Sequence, residues 1–402
     1  MTFYTGYSQQ AISPRLDQKV FLAGFGHNRL AESVHDDLYV RAIAIQSGGA
    51  RLVLASLDLI GLSRKHCREI EKRVNQSFPG SRVIICCTHT HHGPDTIGLW
   101  GPNRLTSGVN PDYLALVKDR TVQTIIKSLQ SMSESAPLFR AASIQVPKVV
   151  RNSRHPHILD QELVSFQFYN PDRTPRFTVV TFPCHPQVLW QNNPNITSDY
   201  PGYLRKEVEL ATNAPCVFFP GGLGGMLIPD VVDHSFQEAE QIGKILARAA
   251  ISALLAEGGS KAIQVKDLNL EVHYTSKEYS IRLQNPLLRL AGFTRVVSNI
   301  NVRRGAVITE VNLVRIGPLW IVTVPGELFP ELGLTIKTEL RVFGAQIATI
   351  IGLANDEIGY ILPKEDFQFP FNPLNPGVHY EETMFVGNDV GLNLIDVIYV
   401  LL

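Results

Sequence analysis

Apolar residues along the chain come in short blocks, each closed by a glycine, proline or polar cluster. Two apolar β-rich runs, residues 39–46 and 51–58, flank Ser47-Gly48-Gly49-Ala50, whose glycine-rich composition predicts a hairpin turn. A helical stretch over 63–78 follows. Next comes Arg82-Val83-Ile84-Ile85-Cys86-Cys87, a continuous apolar run of the kind expected for a strand buried on both faces. It leads directly into Thr88-His89-Thr90-His91-His92-Gly93-Pro94.

The same punctuation recurs. Strand-like 177–182 ends in Cys184-His185-Pro186, and a helix is predicted from Pro201 behind the caps Ser198 and Asp199. Cys216-Val217-Phe218-Phe219 leads into Pro220-Gly221-Gly222-Leu223-Gly224-Gly225. Residues 319–324 lead into Pro325-Gly326-Glu327 before another helical segment, and 347–352 precede 355–360. Between these blocks lie a long helix over 235–255, with Ile242, Leu246 and Ala249 on one face, and β-like segments over 262–274 and 306–316. A helical segment runs up to Leu402. Strands buried on both faces need crossover helices to reconnect them, so the alternation predicts an α/β core. In such sheets ligands gather beyond the carboxyl ends of the strands.

Length and charge narrow the function. With 402 residues and 45% hydrophobic content the chain can fill a substantial core, and a single domain over 1–402 is expected. Lys+Arg and Asp+Glu both number 37, and no run of like charge stands out, which argues against nucleic acid or an anionic membrane as the main partner. The most apolar helical segment, 245–256, is interrupted by Arg248 and falls short of the ~20 residues that span a bilayer. Met1-Thr2-Phe3-Tyr4 has neither a basic leader nor a secretory apolar stretch, so a cytoplasmic location is expected. Among five cysteines, the pair Cys86-Cys87 has no second pair at zinc-finger spacing and reads as buried free thiols.

His89 and His91 are one residue apart, so on an extended segment both rings point to one side and can meet a single metal or bracket its water. Hydrogen-bonded loop histidines are an equally good reading of that pair, and His92 reads as structural. His185 alone reads as a hydrogen-bonded loop histidine. Glu327 alone reads as a first-turn acid favoured by the helix dipole. Residue chemistry does not select Tyr360, whose ordinary role would be packing.

Taken in order, however, these segments resemble the neutral, non-lysosomal ceramidase family over nearly the whole chain. Thr88-His89-Thr90-His91-His92-Gly93-Pro94 resembles the family's Thr-His-Thr-His-Ser-Gly-Pro, whose first histidine binds zinc and whose second lies beside the metal. Cys184-His185-Pro186, with Asn195-Ile196-Thr197-Ser198-Asp199-Tyr200-Pro201-Gly202-Tyr203 beyond it, is similar to the family's second zinc histidine segment. Val324-Pro325-Gly326-Glu327 matches the family's Pro-Gly-Glu. Gly352-Leu353-Ala354-Asn355 running to Gly359-Tyr360-Ile361 matches its Gly-Leu-x-Asn segment ending in Tyr-Ile-Thr. The opening stretch 35–58, with Asp37, Leu38, Arg41, Leu57 and Asp58, extends the likeness. The family's serine and Gly-Asp fall on Gly222 and Met226 here, a departure on the substrate side that leaves the implied ligands intact.

The resemblance implies an α/β fold of mixed sheets covered by helices, a neutral-ceramidase-like catalytic domain with its metal site at the carboxyl ends of strands; in a departure from the family, no C-terminal immunoglobulin-like domain is expected here. It implies Zn2+ held by His89, His185, Glu327 and Tyr360, and hydrolysis of a linear amide in a small-molecule or lipid-like N-acyl substrate of the sphingolipid type. His91 then accepts the water's proton, and Tyr360 also steadies the oxyanion. The glycine run around Gly222 would present backbone N–H groups in place of the serine, or simply make a tight turn. Arg151 and Arg154 bracket Asn152-Ser153, similar to the family's substrate-facing Asn-Arg-Ser, with a salt bridge as the competing role. Asp58 would orient a ligand histidine, with helix capping as the alternative. Rival functions are a dinuclear hydrolase of the amidohydrolase-barrel type, an ester or lactone hydrolase, and a zinc-binding protein without turnover.

Overall fold

Strands Tyr39–Ser47 and Ala50–Leu57 pair antiparallel with Ser47 opposite Ala50, so Gly48 and Gly49 alone make the turn. Gly48 takes φ 57°, which glycine enters without a Cβ penalty. The computed structural model describes residues 3–136, 138–256, 260–265, 271–286, 288–289, 302–303, 305–368 and 379–402.

Among the described residues three five-stranded sheets carry the fold. The first runs Arg82–Cys87, Ala50–Leu57, Tyr39–Ser47, Phe3–Ala11, Ser133–Glu134. The second runs Cys216–Pro220, Pro175–Phe182, Glu162–Tyr169, Phe139–Gln145, Lys261–Val265. The third runs Val272–Arg282, Ala306–Ile316, Leu319–Thr323, Ile347–Ile351, with Val302–Arg303 also paired to Ala306–Ile316.

Each sheet is an antiparallel meander with a parallel pair at one edge. The pairs are Ala50–Leu57 with Arg82–Cys87, Pro175–Phe182 with Cys216–Pro220, and Leu319–Thr323 with Ile347–Ile351. A parallel neighbour can be reached only by a crossover, and each pair has one helix for it: Arg64–Ser77, Tyr200–Thr212 and Pro330–Val342. The α/β expectation is therefore met, with parallel pairing confined to these three β-α-β units. No eight-stranded parallel barrel exists among the described residues, which removes the amidohydrolase-barrel rival.

The three parallel edges meet in the middle of the molecule. Ile84, Phe166, Phe177, Val217, Phe219, Ile321 and Ile351 share one buried cluster drawn from all three sheets. Polar stitches tie the edges: Ser56 Oγ donates to Phe218 O (2.6 Å), Thr181 Oγ1 meets Thr349 Oγ1 (2.8 Å), and Gly352 N–H donates to Pro220 O (2.9 Å). Helices lie outside. Pro111–Gln130 and Arg64–Ser77 cover the first sheet, Tyr200–Thr212 and Phe236–Leu254 the second, Pro330–Val342 and Val390–Leu401 the third. Mixed sheets covered by helices are thus what the chain forms.

Local chemistry explains the boundaries. Asp199 caps Tyr200–Thr212 by accepting from Tyr200 N–H, and Ser235 caps Phe236–Leu254 by accepting from Glu238 N–H. The 262–274 expectation resolves into Lys261–Val265 and Val272–Arg282 in different sheets, with 266–270 outside the described residues. All five cysteines are buried and free. Among the described residues no helix is long and apolar enough to cross a membrane.

Candidate metal centre

Each parallel edge delivers side chains from its carboxyl end to one place. His89 and His91 follow strand Arg82–Cys87, His185 follows Pro175–Phe182, Glu327 follows Leu319–Thr323 and Tyr360 follows Ile347–Ile351. Residues Glu327–Leu328 and Tyr360–Ile361 pair in parallel, with Glu327 opposite Tyr360.

Backbone carbonyls fix the two outer imidazoles. His89, at φ 69°, donates its amide to Leu59 O (2.9 Å), and its Nδ1 lies 2.6 Å from Ile60 O. His185 places both its amide and its Nδ1 on Leu227 O, at 2.9 and 2.8 Å. A carbonyl only accepts, so each Nδ1 carries the hydrogen. The remaining Nε2 atoms face one carboxylate oxygen, Glu327 Oε2, at 3.5 Å from His89 and 3.0 Å from His185. A lone pair facing a carboxylate is repulsive unless a cation, a proton or a metal, lies between them. Burial acts to raise the Glu327 pKa, but His89 and His185 outweigh it and hold it at about 2.

His91 completes the cluster. The ligating atoms of His89, His91 and His185 all lie within 4.8 Å of one another. The His91 ring is 5.0 Å from that of His89 and 5.6 Å from that of His185, and stands edge-on to Phe25 at 4.9 Å. Both of its ring nitrogens are buried without a partner among the described residues. Burial first, then His89 and His185, push its pKa well below 6.5, so the ring is neutral. Burial and the neighbouring Glu327 raise the Tyr360 phenol well above 10, and its Oη donates to Met226 Sδ at 3.6 Å. Two imidazoles held through their outer N–H, a carboxylate and a phenol make a donor set that suits a divalent cation such as zinc. His92 is fully buried, with Nε2 3.6 Å from Asp199 Oδ2 and Nδ1 3.2 Å from Asn193 Nδ2, a structural arrangement.

Four other expected site residues lie elsewhere. Asp58 forms a buried two-pronged pair with Arg205 (2.7 and 2.8 Å) and accepts from Tyr39 N–H, so the Ile60 carbonyl, rather than this carboxylate, orients His89. Arg154 is spent on Glu381 and Glu382 at 3.0 and 2.8 Å, over the Phe329 ring, instead of facing the site. Arg151 is exposed on Val150–Asn152. Gly222 packs against Leu328, whose carbonyl oxygen would lie 3.3 Å from an added Cβ, and Gly221 and Gly224 donate their amides to Phe182 O and Leu328 O. The glycine run is a tight turn.

A cavity of about 390 Å³ opens onto His89, His91, Glu327 and Tyr360. Phe25, Ile97, Leu99, Trp100 and Trp190 give it apolar walls, and Met226 lines it where the resemblance placed an acid. Sequence reasoning passed over Gly24, against the His91 ring, and Gln187, in the cavity wall. A glycine within Gly24-Phe25-Gly26 was a readable signal, while nothing marks Gln187 beyond its place two residues after His185.

No protein-family model matches the chain, and no curated protein does. Among solved structures, the neutral ceramidase from Pseudomonas aeruginosa superimposes with a TM-score of 0.79 at 16% identity, covering 99% of this chain and 73% of that one. A ceramidase complexed with C2 gives 0.76 at 15%, covering 98% and 73%. At such identities the likeness is one of architecture, and the chain has a ceramidase-like fold of mixed, helix-covered sheets.

Proposed function

We propose that this protein is a zinc-dependent hydrolase that cleaves N-acyl amides, with His89, His185, Glu327 and Tyr360 as the ligand set. The observation that carries the reading is the pair of Nε2 atoms turned onto Glu327 while both Nδ1–H groups are tied to carbonyls. That arrangement calls for a cation at their meeting point, and the cavity opens there. The ceramidases of the same fold support amide cleavage as the reaction.

Zinc bound at such a site lowers the pKa of water to ~7 and polarises a carbonyl. The remaining work falls to the chain's own residues. Neutral His91, with both ring nitrogens unpaired, accepts a proton from the water that adds to the amide carbon and passes it to the departing nitrogen as the C–N bond breaks. The products are a carboxylic acid and an amine. The Tyr360 hydroxyl, in the wall of the same cavity, would donate to the carbonyl oxygen as charge develops there. The apolar walls exclude water and seat a hydrocarbon portion of the substrate. With Gly222 and Met226 in place of the family's polar groups, the proposed substrate class is the N-acyl amide, lipid-like in its acyl part, rather than ceramide in particular.

Elemental analysis of the purified chain, paired with an N-acyl substrate panel, tests this. One zinc per chain, lost in His89→Ala and Glu327→Ala, together with release of acid and amine, is expected. A protein that takes up no metal and cleaves no amide would overturn the reading.

A further inference from the structure

The guanidinium of Arg29 is partly buried, and every hydrogen bond it makes among the described residues ends on a backbone carbonyl. Nη1 donates to Ala23 O (2.9 Å), Gly24 O (3.4 Å) and His91 O (3.2 Å), Nη2 to Asn193 O (3.3 Å) and Nε to Gln191 O (3.0 Å). Arg41, Arg154 and Arg205, by contrast, each face a carboxylate. Burial pulls the Arg29 pKa from 12.5 down to about 10, which leaves the group charged at neutral pH. Donors fixed in one plane can meet carbonyls from three segments at once, which an ammonium on a flexible stem cannot do.

Those three segments wall the cavity beside the metal cluster: Gly24, Phe25, His91, Trp190 and Gln191 all line it. Phe25 has φ 53° and Trp190 φ 59°, in the left-handed region that a Cβ disfavours and that persists only where the surroundings enforce it. Their rings lie 5.0 Å apart, Phe25 stands edge-on to His91 at 4.9 Å, and the Arg29 guanidinium lies over the Phe25 ring at 5.0 Å. The three site histidines differ in what holds them. His89 and His185 are oriented by carbonyls on Nδ1, whereas neither ring nitrogen of His91 has a partner among the described residues. The His91 ring is therefore aimed by its own backbone and by the Gly24 and Phe25 packed against it, and Arg29 grips the carbonyls of His91 and Gly24.

We infer that Arg29 is a positioning residue: by gripping carbonyls of three segments it holds the strained Phe25 and Trp190 wall in place and so fixes the His91 ring for proton transfer. Its effect on turnover rests on the amidase reading above, while the grip itself does not. Arg29→Lys, which keeps the charge without the planar fork, is compared with wild type in the zinc-loaded full chain. The backbone amides of Ala23, His91 and Trp190, which donate to Gly93 O, Pro186 O and Gln187 O, report the grip by hydrogen exchange. Each is expected to exchange about tenfold or more faster in the variant, with the amides of strand Arg82–Cys87 at wild-type rates. On an N-acyl amide that wild type cleaves, kcat per zinc-bound molecule is expected to fall about 100-fold with zinc content unchanged. A role in stability alone would lower the thermal midpoint and leave that kcat where it was. Arg29→Gln serves if the lysine variant does not fold. Should wild type cleave no amide, the amidase reading fails and the exchange rates alone decide the grip. Wild-type exchange at the three amides, faster exchange spread evenly over the chain, or an unchanged kcat in the variant overturns the inference.

Discussion

Replacing Gly24 by alanine should disable the proposed proton carrier without touching the metal ligands. Gly24 sits at φ +77°, where an L side chain costs roughly 1–2 kcal/mol. A Cβ built there would lie 2.6 Å from His91 Cγ and 3.0 Å from His91 Cβ, and closer still to Nδ1, whereas ordinary contact begins at 3.4 Å. The imidazole has little room to retreat, with Phe25 at 4.9 Å and His185 at 5.6 Å between ring centres. A displacement of roughly 1 Å in a reacting group lowers rates by about 100-fold. Gly80 supplies the control, since it has φ +78° with nothing within 4 Å, so its alanine variant carries the backbone penalty without the clash. The assay is kcat/KM on a cleaved N-acyl amide, with zinc content and thermal midpoint measured alongside. Gly24→Ala is expected to keep its zinc and lose about two orders of magnitude in turnover, while Gly80→Ala loses only stability. Turnover of Gly24→Ala within a factor of about two of wild type would refute the placement of His91 in the proton path.

Further outcomes follow from other contacts. His91→Ala should retain zinc by elemental analysis and lose about 10²–10⁴ in kcat, and retained activity would show that another group carries the proton. Tyr360→Phe should lower kcat by about 10²–10³, as removal of a donor to a developing oxyanion does, and an unchanged rate would exclude that role. Asp58→Ala leaves Arg205 buried and unpaired, so chemical denaturation should show a loss of about 3–5 kcal/mol; loss of zinc from protein that is still folded would instead return Asp58 to the metal. At Glu162 burial acts to raise the pKa, but Lys337 and Arg341 outweigh it and depress the carboxyl below 4.5, beside Asp160 on the same lysine. A depressed acid adds stability that is present above its unfolded pKa and is lost as pH falls through the folded one. Glu162→Gln should therefore flatten the decline in urea midpoint below about pH 4.5, and an unaltered acid limb would count against this network.

Much of the architecture was legible because local chemistry dictates it. The Gly48-Gly49 turn, the Asp199 cap and the unbroken apolar run Arg82–Cys87 each depend on neighbours in sequence, and they lie where the pattern placed them. Helix Pro111–Gln130, absent from the expected elements, has local signals too: Asn110 accepts from the amides of Asp112 and Tyr113, Pro111 opens the first turn, and Val117, Ile125 and Leu129 share the buried side. Strands Phe3–Ala11 and Phe139–Gln145 have no clear strand pattern in the sequence because polar and small residues interrupt their apolar positions.

What the order of residues determined by itself was a set of strand ends carrying polar chemistry, and the resemblance joined four of them into a proposed ligand set. Only the tertiary structure decided which of these ends meet. Pairing of Asp58 with Arg205, occupation of Arg154 by Glu381 and Glu382, and the open amide of Gln187 are contacts between residues far apart in the chain or gaps in such contacts. No local propensity encodes them. They arise where elements distant in the chain pack against one another, and the packing alone determines which polar groups find partners and which remain open to a ligand.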